Sequence, residues 1–122
     1  MEKKIKDSIV KLIHLAYDFR KRGNISPINL LKKSGYLEFS DQINEEEIGE
    51  ILKSYPHLVD EWLLWSENKR SNPTWHFDKF EDGTYAVAYS TEGIEAEINK
   101  KDEFKACAAF IKREAEDLRE FV

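Results

Sequence analysis

Residues 62–77 read WLLWSENKRSNPTWHF, and the hydrophobic period of the chain changes across this stretch. Before it, large apolar side chains recur at helical spacing; from Thr74 onward they alternate with polar ones. The first pattern belongs to helices with one buried stripe, the second to half-buried strands. Asn72-Pro73 marks a turn between them. A chain patterned in this way folds a helical part against a sheet.

On the helical side, Ile5, Ile9, Leu12, Ile13, Ala16 and Phe19 predict one long helix over residues 3–22, closed by Arg20, Lys21, Arg22 and then Gly23. Ser26-Pro27 starts a short second helix that stops at Gly35. Tyr36, Leu37 and Phe39 form an ordered connector. Asn44 caps a third helix, with Glu45, Glu46 and Glu47 in its first turn and Tyr55-Pro56 as its break. A fourth helix, about 57–69, buries Leu58, Val59, Trp62 and Leu63, and Trp65 stands nearer its end.

On the other side, TWHFDKF, TYAVAYS and IEAEI predict three short strands. Turn chemistry at Glu81-Asp82-Gly83 selects the register. A three-residue loop with Gly83 left-handed pairs Phe80 with Thr84 and puts Trp75, Phe77, Tyr85, Val87 and Tyr89 on one face. The opposite face then carries His76, Asp78, Glu95 and Glu97. A last helix, about 101–121, lies across the apolar face by its Phe104, Ala108, Ile111, Ala115 and Leu118 stripe. The expected fold is a single α+β domain over residues 1–122: four N-terminal helices, a three-stranded antiparallel meander and a long C-terminal helix packed on the sheet.

Charge is distributed unevenly. Residues 1–35 carry nine Lys/Arg against three Asp/Glu, residues 36–61 one against eight, and residues 62–122 nine against thirteen. Exposed negative charge disfavours nucleic acid and steers basic partners. The bland alternative is that Glu45, Glu46, Glu47 and Glu50 serve a helix N-terminus and a solvated face. No apolar run approaches the roughly 18 residues of a membrane span. The single cysteine, Cys107, fits a reducing cytoplasm, and one cysteine with three histidines argues against structural zinc. No cofactor motif is present.

His76 and Asp78 stand two apart on a strand and share a face, a pairing compatible with a general base or a divalent-metal site. Any polar sheet face produces the same pairing. His14 and His57 read as a helix-edge residue and a helix-start residue, and Cys107 as a small buried thiol. The tryptophans read chiefly as core; Trp65 is the one most open to a second reading as an interface anchor.

Three segments carry a resemblance: EEEIGEILKSYPHLVDEWLL with the WSENKR turn, the aromatic hairpin TWHF…GTYAVAYS, and DEFKACAAFIKREAEDL. Together, over about residues 44–119, they resemble a family of small uncharacterised bacterial cytoplasmic proteins with a helical N-terminal half and a short antiparallel sheet. The resemblance implies an immunity protein of the type found beside polymorphic or contact-dependent (growth-inhibition) toxins, and its marks carry over no functional residue. The expectation is thus a non-catalytic protein that binds and occludes a basic cognate toxin, such as a nuclease, with no nucleic-acid or membrane partner. Its expected contact surfaces are Glu45, Glu46, Glu47, Glu50, Asp60 and Glu61, and the His76, Asp78, Glu95, Glu97 face. The alternative is a small enzyme or metal-dependent site at His76 and Asp78.

Overall fold

The computed structural model describes residues 2–69, 74–91, 94–100 and 102–122, with residues 90, 91 and 94–100 described by their backbone alone. The elements run α1 (Lys3–Ile13), α2 (Leu15–Arg22), α3 (Pro27–Ser34), α4 (Tyr36–Phe39), a 3-10 turn (Ser40–Gln42), α5 (Glu45–Leu52), α6 (Leu58–Asn68), β1 (Thr74–Lys79), β2 (Tyr85–Thr91), β3 (Ile94–Lys100) and α7 (Glu103–Arg119). The class is α+β, with an antiparallel sheet and a C-terminal helix. Among the described residues no helix is long and apolar enough to cross a membrane.

The helical half differs from the expected four helices in two places. The first expected helix is divided at His14. Its Nδ1 donates to the Val10 carbonyl at 2.7 Å, and the His14 backbone N–H reaches the same carbonyl at 3.3 Å. Two donors on one acceptor lengthen the main-chain bond, and the helical ladder slips at that residue. The second difference is the connector after Gly35. Gly35, at φ 85°, ends α3 in the left-handed conformation, and the chain re-enters a helical turn at Tyr36. The Ser34 hydroxyl donates to the Leu31 carbonyl at 2.6 Å and accepts from the Tyr36 N–H at 3.1 Å, which holds this junction.

The hairpin adopts the three-residue loop. Phe80 N–H donates to the Thr84 carbonyl at 2.9 Å, Gly83 sits at φ 85°, and Trp75, Phe77 and Lys79 face Tyr89, Val87 and Tyr85. The β3 backbone runs antiparallel to β2 in the order β1-β2-β3.

Residues 106–111 of α7 are all buried, so this helix is covered on every side over those six residues. Alanine at 106, 108 and 109 is what allows close approach from more than one direction. On one side α5 comes in antiparallel, with Gly49 against Phe104 and Ala108. On the other, Phe110 stacks on Phe77 at 5.5 Å and meets the edge of Trp62 at 6.1 Å. Trp62 is fully buried, and its Nε1–H donates to the Ile13 carbonyl at 2.9 Å, closing the end of α1.

α6 lies beside β1 and supplies hydrogen bonds to it. The Ser66 hydroxyl accepts from Phe77 N–H at 2.8 Å. Lys69, just beyond the helix, donates to the Trp75 carbonyl at 3.0 Å, to Thr74 Oγ1 and to the Glu114 carboxylate. Glu114 is only 4% exposed, and Trp65 Nε1–H approaches it at 3.4 Å. Burial raises the Glu114 pKa above the usual carboxylate range, against the opposing pull of Lys69.

Candidate functional site

Acidic residues stand along α5 and at the starts of α6 and α7. Asn44 caps α5 by accepting the Glu47 N–H at 2.8 Å, which leaves Glu45, Glu46 and Glu47 on the first turn, where the helix dipole favours carboxylates. Glu45 turns back onto α7 and accepts from Arg113 at 2.5 Å. That guanidinium also donates to the Ala109 carbonyl and lies 4.9 Å from the centre of the Trp75 ring. Glu61 accepts three hydrogen bonds from Arg20, at 2.7, 2.8 and 3.2 Å. Glu46, Glu50 and Asp60 are exposed, and Glu50 has only the solvated Lys53 at 3.0 Å.

Further acids stand at the head of α7. Lys53 is raised by its hydrogen bond and attraction to Glu50, and Asp102 adds to the same effect. Burial pushes the Tyr85 hydroxyl up, and so do Glu103, which accepts its proton at 3.2 Å, and the nearby Asp60. Glu50 with Lys53, and Tyr85 with Glu103, are the contacts nearest the head of α7. Asp102 and Glu103 were not singled out from sequence. Asp102 is the α7 N-cap, accepting the Phe104 and Lys105 N–H groups, and its position before an apolar stripe was the available signal.

His76 and Asp78 project from β1 into a cleft of about 390 Å³ shared with Leu63, Ser66 and Glu67 of α6, and with Lys69 and Lys79. Across the sheet they pair with Ala88 and Ala86. Glu97 and Glu95 lie opposite Ala88 and Ser90 in the backbone register, and their side chains are outside the described residues. Among the described residues no group of three or more His, Cys, Asp or Glu is arranged to hold a metal ion.

A second concavity, also about 390 Å³, opens between α2, the start of α3, α6 and the last turns of α7. Ala16, Phe19, Pro27, Leu64, Trp65 and Leu118 give it apolar walls, and the Arg20–Glu61 pair sits in its rim. Phe19, expected in the buried stripe of the first helix, is 39% exposed here, and Leu64 is 38% exposed.

Comparison of the chain with protein-family models, curated proteins and solved structures returns no match. The residues themselves therefore carry the functional argument.

Proposed function

We propose that this protein acts by stoichiometric binding, as an immunity-type protein that occludes a basic cognate toxin in the bacterial cytoplasm. The observation that carries this reading is the set of carboxylates where α5 ends and α6 and α7 begin, Glu50, Asp60, Asp102 and Glu103, with Glu46 and Glu47 further back along α5. Glu46, Glu47, Glu50 and Asp60 are the contact carboxylates, the first two on the opening turn of α5, and Asp102 and Glu103 extend the surface at the head of α7. Glu45 and Glu61 have a different part: their pairs with Arg113 and Arg20 fix α5 on α7 and α6 on α2. A pre-set array of carboxylates accelerates encounter with a cationic cleft and orients the partner as it arrives. A nuclease toxin, whose substrate is polyanionic, is the fitting target class.

The test is co-expression with the product of the neighbouring gene, followed by binding measurements on the purified pair. A toxic neighbour neutralised in a one-to-one complex is the expected outcome. The triple variant Glu46→Lys, Glu50→Lys, Asp60→Lys should slow association at least about tenfold at low salt while leaving the fold intact. A neighbour that is harmless alone and forms no complex would refute the proposal.

A second reading rests on the β1 cleft, where His76, Asp78 and Glu67 line one cavity with Lys69 and Lys79. It assigns the cleft an acid–base or metal-assisted reaction. Metal analysis of the purified protein and a His76→Ala variant separate it from the first. An activity lost in that variant with folding unchanged would favour it over occlusion.

A further inference from the structure

A third, smaller concavity of about 240 Å³ lies among α1, α2 and α3. Leu15 and Leu30, both buried, give it its apolar lining. Three cations line it from three different helices, Lys11 of α1, Arg22 of α2 and Lys33 of α3, against one carboxylate, Asp18. We propose that it binds a small phosphomonoester, with the phosphoryl group held among Lys11, Arg22 and Lys33 and the organic part against Leu15 and Leu30. The site is independent of the toxin reading, since it shares no residue with the acidic surface.

The charges lining this concavity are uncommitted. Lys69, Lys112 and Arg113 each engage a backbone carbonyl and a carboxylate. Lys11, Arg22 and Lys33 have no ion-pair partner among the described residues, and their side chains donate to no acceptor there. All three sit in the last turns of their helices, where the dipole favours positive charge. That accounts for their placement and leaves their N–H groups free. Asp18 stands one helical turn before Arg22 and is not paired with it. A surface pair of that kind is weak and is readily exchanged for a dianion.

The chemistry of the lining selects phosphate. Three positive charges and one negative leave a surplus of two, which a phosphomonoester cancels with its near-double charge and three terminal oxygens. The Arg22 fork suits two of those oxygens at once. Asp18 accepts from a hydroxyl on the organic part. Ser34 also lines the concavity, but its hydroxyl is spent on the Leu31 carbonyl and the Tyr36 N–H, so it stiffens the wall. Leu15 and Leu30 belong to the core, which fixes the helices before a ligand arrives and lowers the ordering cost of binding. The volume is below the roughly 300–1,000 Å³ of sites for drug-sized ligands, so the occupant is a phosphoryl group on a short carbon skeleton.

The test is two-dimensional amide NMR of the full chain, titrated with glycerol phosphate at constant ionic strength. Saturable shifts confined to the surroundings of Lys11, Asp18, Arg22 and Lys33 are expected, with a Kd of about 1 mM or below. Inorganic phosphate should saturate the same amides more weakly, and glycerol should not shift them. Arg22→Gln and Lys33→Gln should each weaken binding at least about threefold. Lys6→Gln, on α1 but outside the lining, should leave it unchanged. Asp18→Asn should tighten the binding of inorganic phosphate severalfold by removing a like charge. The variants change exposed or half-buried residues, and the dispersion of the amide spectrum checks that each still folds. Shifts that never saturate, saturable shifts centred elsewhere, or equal losses in Lys6→Gln and Lys33→Gln would each overturn the proposal, the last by reducing binding to diffuse attraction.

Discussion

Replacing Lys69 with methionine strands a carboxylate in the interior, and its consequence depends on pH in a way the structure specifies. In the native protein the Lys69 ammonium directs its three donors at Thr74 Oγ1, the Trp75 carbonyl and Glu114. Lys69→Met leaves Glu114 buried, with Trp65 Nε1–H at 3.4 Å as its remaining donor. Removing one partner of a buried ion pair costs about 3–5 kcal/mol. The sign with pH follows from the raised Glu114 pKa. Below the ordinary value of 4.5 the carboxyl is protonated in folded and unfolded chains alike, and burial of its charge costs nothing. Stability is lost as pH climbs from there through the folded-state pKa, and the loss persists above it. Without Lys69 that pKa climbs further, so the variant's deficit is smallest near pH 4.5, where only the lost bonds to Thr74 and the Trp75 carbonyl count, and full at pH 8. The growth of the deficit between those limits should equal about 1.4 kcal/mol per unit of added pKa shift. Urea unfolding followed by tryptophan fluorescence gives the deficit at each pH, and carboxyl-carbon NMR titration gives the shift. The Lys69→Met, Glu114→Leu double variant, which removes both charges, should recover most of the loss. A Lys69→Met protein within about 1 kcal/mol of the parent at pH 8, with an unchanged pH profile, would refute the reasoning.

Two glycines respond oppositely to alanine. Gly49→Ala should stabilise by about 0.5–1 kcal/mol, because it sits within a helix and its new methyl meets Ala108 Cβ at an ordinary 3.6 Å. Gly35→Ala should destabilise by about 1–2 kcal/mol at φ 85°; denaturant melts decide both. Trp62→Phe should cost about 1–3 kcal/mol by orphaning the buried Ile13 carbonyl, again read from denaturant melts. Cys107 is fully buried, and burial pushes its thiol well up, so a thiol reagent at pH 8 should label it only after unfolding.

Much of the fold was legible where local chemistry decides it. Ser26 and Asn44 cap the helices they were expected to cap, the change of period at Thr74 opens the first strand, and Gly83 selects the hairpin register. The break at His14 was not legible, because it depends on a side-chain bond that competes with an otherwise good helical stripe. The burial of α7 was only half legible. Its stripe predicts contact with the sheet, whereas the alanines on its other sides acquire meaning only once α5 is known to lie there. The acidic surface shows the same limit. Six carboxylates look alike in a string of letters, yet Glu45 and Glu61 are engaged by arginines 68 and 41 residues away. The groove at Phe19 is the extreme case, since its walls come from α2, α3, α6 and α7, which no spacing rule connects.

The way α6 attends to β1 has a consequence for how this domain meets other molecules. A terminal strand of a sheet ordinarily offers its free backbone as a template on which another chain can add a strand. Here the Phe77 N–H is held by Ser66 and the Trp75 carbonyl by Lys69. An incoming chain would have to displace both side chains before it could read that edge. Two of the outward backbone groups of β1 are thereby occupied, which hinders strand addition at that edge. A partner approaching from there is left with side chains to recognise.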